Sequence, residues 1–317
     1  MVSVGYFLSS EEFSPRELVR QARLAEAAGF ERLWVSDHFH PWLDEQGSSP
    51  FVWSVLGALS EVTSLPISTA VTCPIIRTHP VVVAQAAATA AVQFEGRFVL
   101  GVGTGEALNE HVTGERWPSP PVRLEMLEEA IDVIRELHTG KEVNHRGRHY
   151  TVDHARLYTV PDEPVPIYVS AFGPAAAELA ARAGDGFCTV MPDADLVRQY
   201  REAGGGDRPV QGGLKVCWAD SEDDGVRTAH RLWRNELLPG RLPSVLPTPA
   251  DYEAAASLVT EDMVREQFAC GPDADRHVEA VREFADAGFD EVYVQQIGPD
   301  QEKFFEAWRT QVLPRLA

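Results

Sequence analysis

The chain has 317 residues with 44% hydrophobic and 24% charged, and a formal charge of −20. That length and balance suit a globular protein with a large core and exclude a disordered or membrane-embedded one. The strongly acidic balance opposes nucleic acid or an anionic membrane as partner, because the long-range field repels both.

No run reaches the length of a membrane span, and Met1-Val2-Ser3-Val4-Gly5-Tyr6 lacks the basic region and apolar stretch of a signal peptide, so a cytoplasmic protein is expected. Cys73, Cys188, Cys217 and Cys270 are scattered and read as free buried thiols. Of the 28 basic residues only Lys141, Lys215 and Lys303 are lysine.

Strand-like and helix-like segments alternate along the chain. Val2 to Leu8 reads as a strand, followed by an amphipathic helix from about Ser14 to Ala28, with Pro15 in its first turn and Gly29 at its end. Arg32-Leu33-Trp34-Val35 is bulky and β-favouring and ends at Asp37 and His38. A helical pattern at Trp53–Thr63, a strand at Ile67–Cys73 and an alanine-rich helix at His79–Phe94 come next, then a strand at Arg97–Val102. The stripe Leu124, Leu127, Ile131 and Ile134 marks a long helix over Val122–His138. Glu142 to Leu157 reads as an added hairpin. Strands follow at Pro166–Ala171, Gly186–Val190, Gly213–Trp218 and Glu291–Ile297. Their helices lie near Ala175–Ala183, Asp195–Ala203, Gly225–Leu238, Arg276–Ala287 and Gln301–Leu316.

Eight βα units predict a closed (β/α)8 TIM barrel as one domain over 1–317, with insertions near 142–157 and 239–261. In such a barrel, ligands bind at the carboxyl ends of the strands.

Four strand ends carry candidate chemistry. The second is Ser36-Asp37-His38-Phe39-His40-Pro41-Trp42. Alone, an Asp-His pair also suits a helix cap and a structural histidine. The third, Ala70-Val71-Thr72-Cys73-Pro74, suits ordinary core or a face of small groups and backbone for a flat ring. The fourth runs Gly101-Val102-Gly103-Thr104-Gly105-Glu106-Ala107-Leu108-Asn109-Glu110; alone it suits either a tight glycine turn with Asn109 near a helix start or glycines that admit a ligand close to backbone while Glu106 points into the mouth. Because Glu106 stands where a third glycine would be, the Rossmann fingerprint is a poor match. The fifth, Ser170-Ala171-Phe172-Gly173-Pro174-Ala175, runs straight into a helix, whose amides suit a phosphate or a plain cap.

Together with Glu11-Glu12-Phe13, Gly184-Asp185-Gly186-Phe187 and the closing Leu313-Pro314-Arg315-Leu316, these motifs resemble the luciferase-like superfamily over the whole chain. The nearest resemblance is to its coenzyme F420-dependent branch, typified by glucose-6-phosphate dehydrogenases. The resemblance implies an F420-dependent oxidoreductase that moves a hydride between a carbinol or carbonyl carbon and the deazaflavin. It makes His38 the base, Glu106 the proton donor, Trp42 the aromatic wall and Glu11 the carboxylate orienting His38. It places the cofactor on Asp37, Ala70, Val71, Thr72, Gly105, Glu106, Asn109, Ala171, Gly173, Pro174 and Ala175, with a cis peptide at Ala70-Val71. It also implies a homodimer acting on a small-molecule substrate, without a metal.

The sugar-phosphate enzymes of that branch hold the phosphate with lysines near the sixth strand and in the late insertion. Cys188-Thr189-Val190-Met191-Pro192 and Ala254 stand there instead, so an unphosphorylated substrate is expected. Two other enzyme classes stay open: an FMN-dependent monooxygenase of the same superfamily, and a barrel metallohydrolase using the His38-x-His40 spacing. A relative that binds without catalysing is a third alternative, disfavoured by Glu106 beside His38.

Overall fold

The computed structural model describes residues 2–316. Its sheet strands are β1 (Ser3–Leu8), β2 (Leu33–Val35), β3 (Ile67–Thr69), β4 (Phe98–Val102), β7 (Ile167–Ser170), β8 (Gly186–Thr189), β9 (Val210–Cys217), β10 (Ala269–Cys270) and β11 (Glu291–Gln296); β5 (Val143–Arg146) and β6 (Thr151–Ala155) form a separate hairpin. All pairings in the main sheet are parallel, in the order β11-β1-β2-β3-β4-β7-β8-β9, and β9 pairs back with β11. The sheet is therefore a closed eight-stranded barrel, as the βα count predicts. β10 is an extra strand, pairing with the end of β9 beyond β8.

Burial on both faces explains the strand composition, since every residue of β2, β3, β8 and β11 is buried. Inside the barrel Trp34 stacks on Tyr293 with centroids 4.4 Å apart and meets Phe7 edge-on at 5.5 Å. Strand β9 begins three residues before the expected start. Gly212 and Gly213 leave room for side chains from elsewhere in the chain: a Cβ on Gly212 would lie 2.4 Å from Phe284 and one on Gly213 2.7 Å from Trp34.

Helix starts follow their caps. Ser14, Asp193, Ser221, Thr248, Thr260 and Asp273 each accept an amide of the first turn. The expected helix Gln301–Leu316 is α-helical to Ala307 and continues as a π-helical turn over Trp308–Val312 and a 3-10 turn over Leu313–Arg315. The turn then widens around Trp308, which is buried among Phe30, Phe304 and His277. The stretch 239–261 holds short helices, Leu242–Val245 and Pro249–Ala256. Among the described residues no helix is long and apolar enough to cross a membrane.

Candidate active site

The loops after β1, β2 and β4 converge on His38. Its Nδ1 lies 3.3 Å from Glu11 Oε1, and its Nε2 lies 3.8 Å from Glu106 Oε1. The Glu11 contact is off the hydrogen-bond axis, so Nδ1 has a charge beside it rather than an aligned acceptor. Glu11 is itself fixed: it is only 2% exposed, and Ser9 Oγ and Ser36 Oγ donate to its Oε2 at 2.8 and 2.9 Å. Trp42 meets the His38 ring edge-on at 4.8 Å and is backed by Tyr252 of the helix Pro249–Ala256 at 5.2 Å.

Asn109 ties the β2 and β4 loops together. Its Oδ1 accepts the amides of Phe39 and His40 at 2.8 and 2.9 Å, and its Nδ2 donates to Glu106 Oε1. One side chain therefore sets both the loop that carries His38 and the carboxyl beside it. His40 turns away from this centre, with Nδ1 3.0 Å from the Leu108 carbonyl. Among the described residues no group of three or more His, Cys, Asp or Glu is placed to hold a metal ion.

Asp37 stands on the other side of the strand end. Thr72 Oγ1 donates to its Oδ2 at 2.8 Å and Arg77 Nη2 to its Oδ1 at 2.9 Å. Arg77 also reaches Glu110, whose Oε2 takes the Arg77 amide at 2.9 Å. Burial pushes Glu110 up to about 7, against the pull of Arg77. Burial works against the Arg77 charge too, but Asp37 and Glu110 hold its pKa above the usual arginine value.

A floor for a planar ring lies beside these groups. The Ala70-Val71 peptide is cis. A Cβ on Gly103 would come within 2.7 Å of Val71 Cγ2, so glycine keeps the β4 end flush against that peptide. Gly105 has φ +65° and a Cβ there would meet Cys73 Sγ at 2.6 Å, two reasons for glycine at one position. Gly103 N donates to the Thr72 carbonyl at 3.0 Å, and β4 is paired with β7, so the third, fourth and fifth strand ends form one ledge. At its far end the helix Pro174–Ala183 starts from extended Gly173 without a side-chain cap, and Pro174 and Ala175 are exposed. An uncapped helix N-terminus presents its amides to an anion.

The structure thus gathers His38, Glu11, Glu106, Trp42, Asp37, Thr72, Ala70, Val71, Gly105 and Asn109 around one mouth, with Ala171 and Gly173–Ala175 along the adjoining ledge. Sequence reasoning missed Arg77 and Arg123. Arg123 is 4% exposed, stacks on Trp117 at 4.3 Å and donates to the Pro118 carbonyl at 2.8 Å, while its Nε is buried without a partner. Neither arginine falls in a motif: the partners of Arg77 come from distant loops, and Arg123 turns back onto Trp117 and Pro118 just before its own helix.

The family model for luciferase-like monooxygenases matches residues 2–291. The chain belongs to the luciferase-like family. Among curated members it is similar to an F420-dependent glucose-6-phosphate dehydrogenase of Microbacterium testaceum (strain StLB037), 36% identical over 327 residues, covering 98% of this chain and 96% of the relative. The similarly named enzyme of Amycolatopsis mediterranei (strain U-32) is 36% identical over 332 residues, covering 100% and 99%. Among solved structures, an F420-dependent secondary alcohol dehydrogenase in complex with an F420-acetone adduct superposes with TM-score 0.92 at 33% identity, covering 99% of each chain. This luciferase-like chain thus matches, over nearly its whole length, both phosphosugar and plain-alcohol dehydrogenases.

Proposed function

We propose that this luciferase-like chain is an F420-dependent oxidoreductase, built as one barrel domain with two insertions, that interconverts a small neutral alcohol and its carbonyl compound. The observation that carries this reading is His38, held between the Glu11 carboxylate at Nδ1 and Glu106 at Nε2. Relatives named for F420 share the full chain length.

The residues fit a deazaflavin. Asp37, Thr72, Asn109 and Glu106 offer polar atoms beside the ring floor of Ala70, Val71 and Gly105, and Ala171, Gly173, Pro174 and Ala175 offer an uncapped helix start to the phosphate. Bound F420 supplies the carbon that accepts or gives the hydride.

The chain's own groups handle the protons. His38 Nε2 takes the proton of the substrate hydroxyl as its carbon becomes a carbonyl. Glu11, locked by two serine hydroxyls, stabilises the imidazolium that results. Glu106, oriented by the Asn109 amide, supplies a proton on the cofactor side. Trp42 walls the substrate space and limits water around His38.

Charge favours a neutral substrate. Of the three lysines, Lys215 is paired with Glu236 at 2.8 Å and Lys303 with Asp220 at 3.0 Å. Lys141 lies exposed at the turn before the hairpin. Calorimetric titration should show oxidised F420 binding at least tenfold tighter than FMN, about 1.4 kcal/mol. FMN binding more tightly would instead support the monooxygenase reading.

We read the enzyme also as a homodimer. The neighbouring helices Val52–Leu59 and Pro80–Gln93 contain no charged residue, although Phe51, Val82 and Val92 are exposed there. On a surface of charge −20 this is a face where two copies can meet without repulsion. Sedimentation velocity should give twice the chain mass, and Val82→Glu should halve it; a monomeric native protein contradicts this.

A further inference from the structure

Resting on the proposed alcohol–carbonyl reaction, we infer that Gln295 and Lys215 recognise a second hydroxyl group on the substrate, so that the enzyme selects hydroxylated alcohols over plain ones. The two residues are direct partners across β9 and β11, and neighbouring partners on parallel strands project to the same face. That face is the barrel interior: Lys215 Nζ lies 5.9 Å from the ring centre of Phe7 and 4.5 Å from that of Trp233.

These groups share the mouth with His38. Trp233 belongs to the apolar cluster against which Trp42 packs, and Trp42 touches His38. On the other side, Gln295 Nε2 donates to Glu12 Oε1 at 3.3 Å, next in sequence to the Glu11 that faces His38. The circuit from His38 through Trp42, Trp233, Lys215, Gln295 and Glu12 therefore returns to His38.

The hydrogen-bonding inventory then specifies the group. Glu12 already accepts the Trp233 indole at 2.5 Å and the Gly298 amide at 2.9 Å, so Gln295 meets it with its amide N–H. This fixes the amide orientation and leaves Gln295 Oε1 as an acceptor. Gln295 is 1% exposed and that oxygen has no partner. Leaving a buried acceptor without a donor is costly, so a site of this kind favours a ligand that donates to it. The Lys215 side chain, 9% exposed, uses one of its donors on Glu236 and keeps others. A hydroxyl answers both, donating to Gln295 Oε1 and accepting from Lys215 Nζ. A carbonyl satisfies only the lysine. A phosphate dianion could accept from Lys215 Nζ, but it has no proton to donate to Gln295 Oε1 and meets the Glu236 carboxylate already paired with that lysine.

The test compares cyclohexanol with each cyclohexanediol isomer on the F420-loaded native protein, both in turnover and by calorimetric binding. At least one diol should exceed cyclohexanol about tenfold or more in kcat/KM and in affinity, the range for hydrogen bonds to a charged partner. Gln295→Leu should bring that ratio close to one, as should Lys215→Met combined with Glu236→Gln, which leaves no unpaired charge. Equal use and equal binding of cyclohexanol and every diol by the native protein would overturn the inference, as would variants that keep the native ratio. Tighter diol binding without turnover of either compound would uphold the hydroxyl site and sink the proposed reaction instead.

Discussion

His38→Ala should lower kcat/KM for alcohol oxidation by roughly 10²–10⁴, the range for loss of a general base, while F420 affinity changes little. The separation is expected because His38 faces Glu11, Glu106 and Trp42, whereas the ring floor is made by Ala70, Val71, Gly103 and Gly105. Added imidazole should restore part of the rate, since the space vacated opens between two fixed carboxyl groups. Unchanged turnover in the variant would remove His38 from the chemistry, and a parallel loss of cofactor binding would make its role structural.

Glucose 6-phosphate should be a poor substrate, at least about a hundredfold below an unphosphorylated alcohol in kcat/KM. A phosphate dianion needs charge-assisted donors, each worth about 1.5–3 kcal/mol. At the end of β8 the chain offers Val190, Met191 and Pro192, and the inward lysine on β9 is already matched by Glu236. Arg265 and Arg77 do not substitute. Arg265 is occupied on the surface by Glu222 and Asp223, and Arg77 by Asp37 and Glu110. Steady-state assays with both compounds decide this, and a clear preference for the phosphorylated sugar would show that another cation, such as Arg123, reaches the substrate.

The candidate centre was legible in sequence because its groups sit within a few residues of strand ends, where a barrel gathers them whatever the intervening helices do. Ser36-Asp37-His38 and Gly103-Thr104-Gly105-Glu106 needed only the βα period to be placed in one mouth. Arg77 could not be found in that way, since its partners Asp37 and Glu110 lie 40 and 33 residues away and no spacing rule links them. Gln295 and Lys215 were hidden for a different reason. They stand 80 residues apart on two strands, and only the closed register shows that these two polar positions are neighbours. The short β3, ending at Thr69 rather than Cys73, and the two-residue β10 follow from local pairing that strand propensity does not encode.

The most direct test of the account is an anaerobic spectrophotometric assay in which the protein, oxidised F420 and a secondary alcohol are mixed. The oxidised deazaflavin absorbance should fall in step with formation of the ketone, in one-to-one proportion, and return when ketone is added in excess. No absorbance change with any alcohol or carbonyl compound, together with oxygen-dependent turnover of an FMN-loaded protein, would contradict it.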